Sequence, residues 1–474
     1  MKKKLYLVWH RRLALIVGLP VLFWALSGIL HPMMGNWFKS EIAHKFLPPK
    51  PLESQALLAP AEVIPSDTQI NFLSLVNVKG RPAYLIEDQE QKFSLYNAQD
   101  GSSIELSEYL EEKARSYTEI TNDPVENIKR LDSFANDYST INRYLPAYRV
   151  SFQDKQGLEV VIDPRTGRLA RHDVPHIRVM KRLFAWFHTF SFLGGVDSLF
   201  RIIVVICFAG LGLLLGVTGI VNLFLFRTRL PSGGKRKIAK GRLAPRTVGA
   251  IAAVFYLLFG LSALFHAVMK LDYDHAPQIK NELSFTSSDL TGVPVPDGFH
   301  GPLFAVTLAR IDGKPYYRSQ IGREVHYTNA QNGSPLVDGE QKHLGELIQV
   351  FSEELWGEVK EGTVVSQHTS FSNRYGFISR RLPVWEVSFE GHTLYLDTKD
   401  NALSKHSSAL RTAEGISFSM LHKFHFIDRW NKELRDWVSA TGAALVALVS
   451  CLGLLLLRKK RRAPRDHQKD SPVV

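Results

Sequence analysis

Cysteine is scarce in this chain: 474 residues contain two, Cys207 and Cys451. Both fall inside long apolar stretches, nine residues apart in depth when counted from the outer ends, or roughly 13 Å at helical rise. Disulfide partners need Cα atoms within about 7 Å, so none is expected. No C-x-x-C motif is present. Asp, Glu, Lys and Arg are missing from four stretches: Leu13–Leu30, Ile202–Phe226, Thr247–Val268 and Trp437–Leu457. Each is long enough to cross about 30 Å of hydrocarbon. A proton-coupled transporter usually needs ionisable groups at depth, so their absence counts against transport. No flavin or nicotinamide fingerprint occurs, and the glycines of Pro231-Ser232-Gly233-Gly234-Lys235 are wrongly spaced for a phosphate loop.

What is present is positive charge in three places. Residues 1–12 carry five Lys/Arg, Arg227–Arg246 carries eight and no acid, and the tail from Arg458 carries seven against two acids. These flanks sum to +18 in a chain of net +12, which leaves −6 for the rest. By the positive-inside rule all three flanks are cytoplasmic. The first span is read as a retained helix, because Ser27-Gly28-Ile29 is a poor cleavage site. The expected layout is a cytoplasmic N-terminus (1–12), spans at 13–31, 201–226, 247–268 and 437–457, a basic loop (227–246) and a basic tail (458–474). Two extracytoplasmic domains, 32–200 and 269–436, each end in an amphipathic segment before the next span. The basic pI of 9.5 then belongs to topology and lipid headgroups, not nucleic acid.

Internal repeats organise the chain. Leu26-Ser27-Gly28-Ile29-Leu30-His31 matches Leu261-Ser262-Ala263-Leu264-Phe265-His266. Asn97–Ser102 matches Asn329–Ser334, and Leu145–Phe152 matches Leu382–Phe389. Phe187-His188-Thr189-Phe190 matches Leu421-His422-Lys423-Phe424, and Arg201 then falls on Arg435. Four ordered matches at offsets between 232 and 237 imply a tandem duplication of a helix–domain–helix unit. Each long segment reads as α+β. Strands are expected at Ala83–Ile86, Lys92–Tyr96, Tyr148–Phe152 and Leu158–Ile162, and a helix near Ser107–Ser116. The second copy repeats strands at Val384–Phe389 and Thr393–Leu396, then the turn Asp397–Asn401.

The strand and turn Val161-Ile162-Asp163-Pro164-Arg165-Thr166-Gly167 resemble the PepSY domain. The opening Trp9-His10-Arg11-Arg12-Leu13, Phe187-His188 and the four-span layout resemble the PepSY-associated transmembrane family of bacterial inner membranes. That family includes iron-regulated membrane proteins and haem-containing ferric-siderophore reductases. The second copy departs from the pattern: it has no counterpart of His10, and its turn lacks Pro and Gly.

Histidine recurs at the outer membrane boundary. His31 and His266 end the first and third spans, and His188 and His422 lead into the second and fourth. Facing neutral imidazoles on helices can hold a b-type haem, so these four are the candidate iron ligands for one or two haem b groups. Small residues (Ser27, Gly28, Ser262, Ala263, Gly210, Gly212, Gly216, Gly219) offer room for a porphyrin, or else pack helices. Trp24, Phe184, Trp186, Phe187, Phe259, Phe265 and Phe424 surround the ligands. Arg201 and Arg435, with Lys181 and Arg182 nearby, are candidates for the propionates. His10 is a candidate ligand of a second, inner haem, and His425, three residues after His422, is a spare. His172 and His176 have i, i+4 spacing, but Pro175 interrupts it. His326, His343, His368, His392 and His406 read as surface or core residues.

The resemblance thus implies a ferric-siderophore or ferric-chelate reductase fed by a separate donor, a quinol or a cytosolic reductase. The alternative is a haem-free PepSY membrane protein that binds or regulates a peptide or protein partner.

Overall fold

The computed structural model describes residues 2–36, 51–52, 57–118, 122–135, 137–196, 198–225, 240–272, 279–294, 301–372, 374–376 and 379–462. Most of the basic loop and residues 463–474 of the tail lie outside them. The chain forms two compact units. One is helical, from 1–39, 177–275 and 410–474; the other is β-rich, from 40–176 and 276–409. The helices are α1 (Lys2–Asn36), α2 (Pro60–Val63), α3 (Leu106–Ser116), α4 (Pro175–Thr189), α5 (Leu199–Leu225), α6 (Lys240–Met269), α7 (Gly339–Trp356), α8 (Ala409–Ser417) and α9 (Lys432–Arg462).

Among the described residues four helices are long and apolar enough to cross a membrane: Leu5–Met34, Leu199–Asn222, Thr247–Met269 and Lys432–Leu455. In the bundle α1 packs on α9 and α5, and α6 packs on α5 and α9. Val17, Val21 and Ala25, four residues apart, make one stripe of α1 and meet Ala252 of α6 and Val446 and Ala447 of α9. Lipid supplies no hydrophobic force between helices, so close packing at small residues holds them. A Cβ on Gly442 would lie 2.4 Å from the Phe255 ring, and one on Gly212 would lie 1.9 Å from the Tyr256 hydroxyl. Gly216 is likewise filled by Tyr256 and Leu257. Gly212 and Gly216 are therefore contact points between helices and leave no slot for a ring system.

In the β-rich unit the expected strands form, at Arg81–Glu87, Phe93–Asn97, Ala147–Phe152, Glu159–Ile162, Val384–Phe389 and His392–Asp397. The two long segments are not independent. A seven-stranded antiparallel sheet runs in the order Glu324–Asn329, Lys314–Ile321, Leu303–Ile311, Phe72–Val78, Arg81–Glu87, Phe93–Asn97, Ser103–Ile104. It is joined across the segments where Val306 meets Leu75 and Thr307 meets Ser74. Leu73, Leu75, Tyr84, Ile86, Val306, Leu308 and Tyr317 form one core beneath it. Division into two separate domains, 32–200 and 269–436, is thus replaced by one shared unit. The pre-span stretches from Ile177 and Leu410 belong to the helical unit instead.

Each segment also carries a smaller antiparallel sheet. The first holds Val125–Leu131, Ala147–Phe152, Glu159–Ile162 and Leu169–Asp173; the second holds Ile279–Lys280, Ala402–Ser408, His392–Asp397, Val384–Phe389 and Thr363–His368. The turn Asp163–Gly167 is held by α3 and its end: Tyr109 donates to Pro164 O (3.1 Å) and Tyr117 to Gly167 O (3.0 Å). This turn meets the turn Asp397–Asn401 through buried charge. Arg165 pairs with Glu87 and lies 3.7 Å from Asp400, and Arg381 pairs with Asp400 and Asp397.

Candidate functional site

All eight candidate residues lie in the helical unit, and local sequence explains how two of them, His188 and His422, are presented. α4 ends at Thr189, and Phe190 turns the chain in the left-handed region (φ 52°) before the short turn Ser191–Leu193 and then α5. The same device follows His422: Phe424 has φ 53° and precedes the turn His425–Ile427 and then α9. A left-handed residue with a side chain costs about 1–2 kcal/mol. Burying a phenyl ring returns about 1.5–3 kcal/mol, and both rings are buried. Phe190 stacks on Trp24 (5.5 Å) and touches Phe208; Phe424 packs between Phe255 (5.8 Å) and Phe259 (5.4 Å).

These turns bring His188 and His422 together. Their ring centroids are 6.1 Å apart with planes at 86°. Two imidazoles bonded through nitrogen to one iron, at metal–nitrogen distances of about 2 Å, would have centroids about 6 Å apart. Each ring is oriented by its other nitrogen. Ser27 Oγ donates to Phe23 O (2.7 Å), so at 3.1 Å it accepts from His188 Nδ1. His422 Nδ1 donates towards Phe259 O at 3.4 Å. Both assignments leave Nε2 with its lone pair, the state an iron ligand requires.

His31 and His266 flank this pair through matching phenyl rings. Phe184 stacks on His188 (4.5 Å, 16°) and lies 5.9 Å from His31. Phe418 stacks on His422 (4.8 Å, 13°) and lies 4.9 Å from His266. His266 Nδ1 is 2.7 Å from Glu414 Oε1. A carboxylate behind an imidazole fixes its tautomer and raises its basicity. Phe418 and Glu414 escape sequence reasoning, because Glu414 lies on an amphipathic helix where any exposed acid looks ordinary. Gly28 leaves the His188 ring clear, with its Cβ position 4.0 Å from Cε1. The donor set fits a haem: imidazoles with free Nε2 atoms, aromatic walls and small residues beside the rings. Among the described residues no group of three or more His, Cys, Asp or Glu could hold a bare metal ion.

The remaining candidates stand apart. Arg201 is buried and donates to Thr189 O (2.6 Å) and Gly194 O (3.2 Å), tying the end of α4 to the start of α5. Arg435 pairs with Asp428 (2.9 Å) and Asp436 (2.7 Å). His425 is no spare for His422. The left-handed Phe424 breaks the helix between them, so i, i+3 spacing no longer places them on one face, and His425 joins Asp428 and Arg435 instead. His10 lies near the other end of α1. Thr218 donates to Leu214 O (2.8 Å) and accepts from His10 Nδ1 (3.1 Å), with Gly219 against the ring.

The family model described as the PepSY-associated TM region matches residues 7–335. No curated protein matches the chain significantly.

Proposed function

The chain belongs to the PepSY-associated transmembrane family, and we propose that it is a haem-bearing oxidoreductase of the bacterial inner membrane that delivers electrons to a ferric siderophore or other ferric chelate outside the cytoplasm. The observation that carries the reading is the facing pair His188 and His422, each with Nδ1 engaged and Nε2 left to bind. When bound, haem b supplies one-electron redox chemistry. The chain's own residues do the rest. His188 and His422 hold iron through Nε2, while Ser27 and the Phe259 carbonyl fix their tautomers. His266, oriented by Glu414, and His31 are the further ligands if a second haem is held at this level. Phe184, Phe259 and Phe418 exclude water from the imidazoles.

The proposal includes cytoplasmic termini, for which the +18 on three flanks is the support. It also includes tandem duplication. Its support is the ordered sequence matches, together with the paired arrangements His31–Phe184–His188 and His266–Phe418–His422 and the left-handed Phe190 and Phe424. Electrons come from a quinol or a cytosolic reductase.

The detergent-purified protein should show a low-spin, bis-histidine b-type spectrum when reduced. His188→Ala and His422→Ala should lose that signal, whereas His343→Ala should keep it. Ferric siderophores added to the anaerobically reduced protein should reoxidise it faster than buffer, with ferrous iron trapped by a chelator. Absence of a chromophore would sink the haem reading and leave the partner-binding alternative. Haem without reoxidation would sink the reductase reading alone.

A further inference from the structure

Fourteen positions separate His392 and His406 in the chain, and nothing in that spacing marks a ligand pair. The β-rich unit places them on neighbouring antiparallel strands, His392–Asp397 and Ala402–Ser408, with His406 paired to Leu394. Residues 392 and 394 share one face of their strand, so both imidazoles project to the same side. His392 Nδ1 lies 3.0 Å from His406 Nε2, and the ring centroids are 5.1 Å apart.

We propose that His392 Nδ1 and His406 Nε2 form a binding site for a late first-row divalent ion, Cu2+ or Zn2+, independent of the haem reading. Metal–imidazole bonds of about 2.0–2.1 Å put two nitrogens about 2.9 Å apart at a right angle and about 3.3 Å apart at a tetrahedral angle. The observed separation falls between these values. Imidazole donors without oxygen ligands select copper, zinc or nickel over magnesium or calcium, with copper at the top of the affinity order. Both histidines are half-buried, so an ion can enter from solvent. Trp356 forms an apolar wall, 5.5 Å from His392 and 6.0 Å from His406, and is itself packed on Phe389 at 5.0 Å. Such a shell limits water around a site and strengthens its bonds. Among the described residues no third His, Cys, Asp or Glu joins the pair. The two imidazole nitrogens are the donors on which the site is built. The competing account of the contact is one neutral imidazole donating to the other, with no affinity for metal.

The test uses the full-length protein in detergent, stripped of metal and titrated with CuCl2, ZnCl2 or MgCl2. One equivalent of Cu2+ should give a nitrogen-coupled electron paramagnetic resonance spectrum and quench tryptophan fluorescence, Zn2+ should compete, and Mg2+ should do neither. His392→Ala and His406→Gln should each weaken binding at least about tenfold, with unchanged elution and melting as the check on folding. Trp356→Phe should keep the copper spectrum and lose most of the quenching. The proposal is overturned if the unmodified protein binds neither Cu2+ nor Zn2+ more tightly than Mg2+. It is overturned equally if both histidine variants retain its isotherm.

Discussion

Glu414 accepts a hydrogen bond from His266, with Nδ1 and Oε1 2.7 Å apart across 148 positions of sequence. A second such tie holds His188, whose Nδ1 meets Ser27. In the proposed haem site these two residues would position the imidazoles without touching iron. Losses of this kind of support typically cost 10–100-fold in metal affinity. Ser27→Val should therefore lower haem retention by about that factor; with a second haem at His266, Glu414→Leu should do the same to that haem, and Glu414→Gln should lower it less. Haem per protein after gel filtration measures the effect, and full occupancy in Ser27→Val would show that His188 orients itself.

Gly442 lets α9 close on Phe255, which in turn backs Phe424. Gly442→Ala overpacks this contact and should cost about 1–3 kcal/mol. Phe255→Leu in the same chain should restore part of the loss. Thermal unfolding in detergent reads both variants. A harmless Gly442→Ala would mean that the helices part easily there.

Arg381 is fully buried between Asp400 and Asp397. Burial opposes its charge, but the two carboxylates outweigh that, and its pKa stays above the ordinary arginine value. Breaking a buried pair leaves uncompensated charge and costs about 3–5 kcal/mol. Arg381→Met should destabilise the β-rich unit by this amount, and adding Asp400→Asn should recover some of it. Chemical unfolding of the two variants decides the point; additive losses would mean no coupling between the residues.

Acid should weaken the β-rich unit in two steps. His343 is buried, with Nε2 donating to Asn401 Oδ1 at 2.7 Å. Burial, followed by the nearby Arg318, pushes its pKa down to about 4 from an ordinary 6.5. Between those values the unfolded chain binds more protons, so stability falls as pH drops through that window. For Glu340, burial opposes ionisation, but Arg318 and donors from Tyr327, Trp385 and Thr398 prevail and bring it to about 2 from 4.5. Its stabilisation is present above 4.5 and is lost as pH falls towards 2. Melting temperature should be level near pH 7 and decline below about 6.5. His343→Gln should flatten the upper part of that decline and leave the lower part. Identical profiles would rule His343 out as the source.

The spans were legible because twenty apolar residues without charge have one stable solution in a bilayer, and hydropathy reports it directly. Strands such as Ala147–Phe152 and Val384–Phe389 were legible because alternation follows from a sheet's two faces. The recurring His31, His188, His266 and His422 could be picked out because they sit within short sequence matches between the two halves of the chain. The break between His422 and His425 could not, because periodicity assumes a continuous helix and a left-handed Phe424 gives no local signal beyond being aromatic.

The sequence by itself determined four membrane helices, their charged flanks, the α+β character of the long segments and the candidate histidines, since each depends on hydropathy, periodicity or order along the chain. The tertiary structure alone decided that the two segments share one sheet at Val306 and Leu75, and that Gly212 and Gly216 seat side chains of α6. It alone joined Glu414 to His266 and His392 to His406. Those outcomes rest on contacts between residues far apart in the chain, where sheet edges, helix grooves and hydrogen-bond partners are chosen by which surfaces meet, and local composition carries no record of that choice.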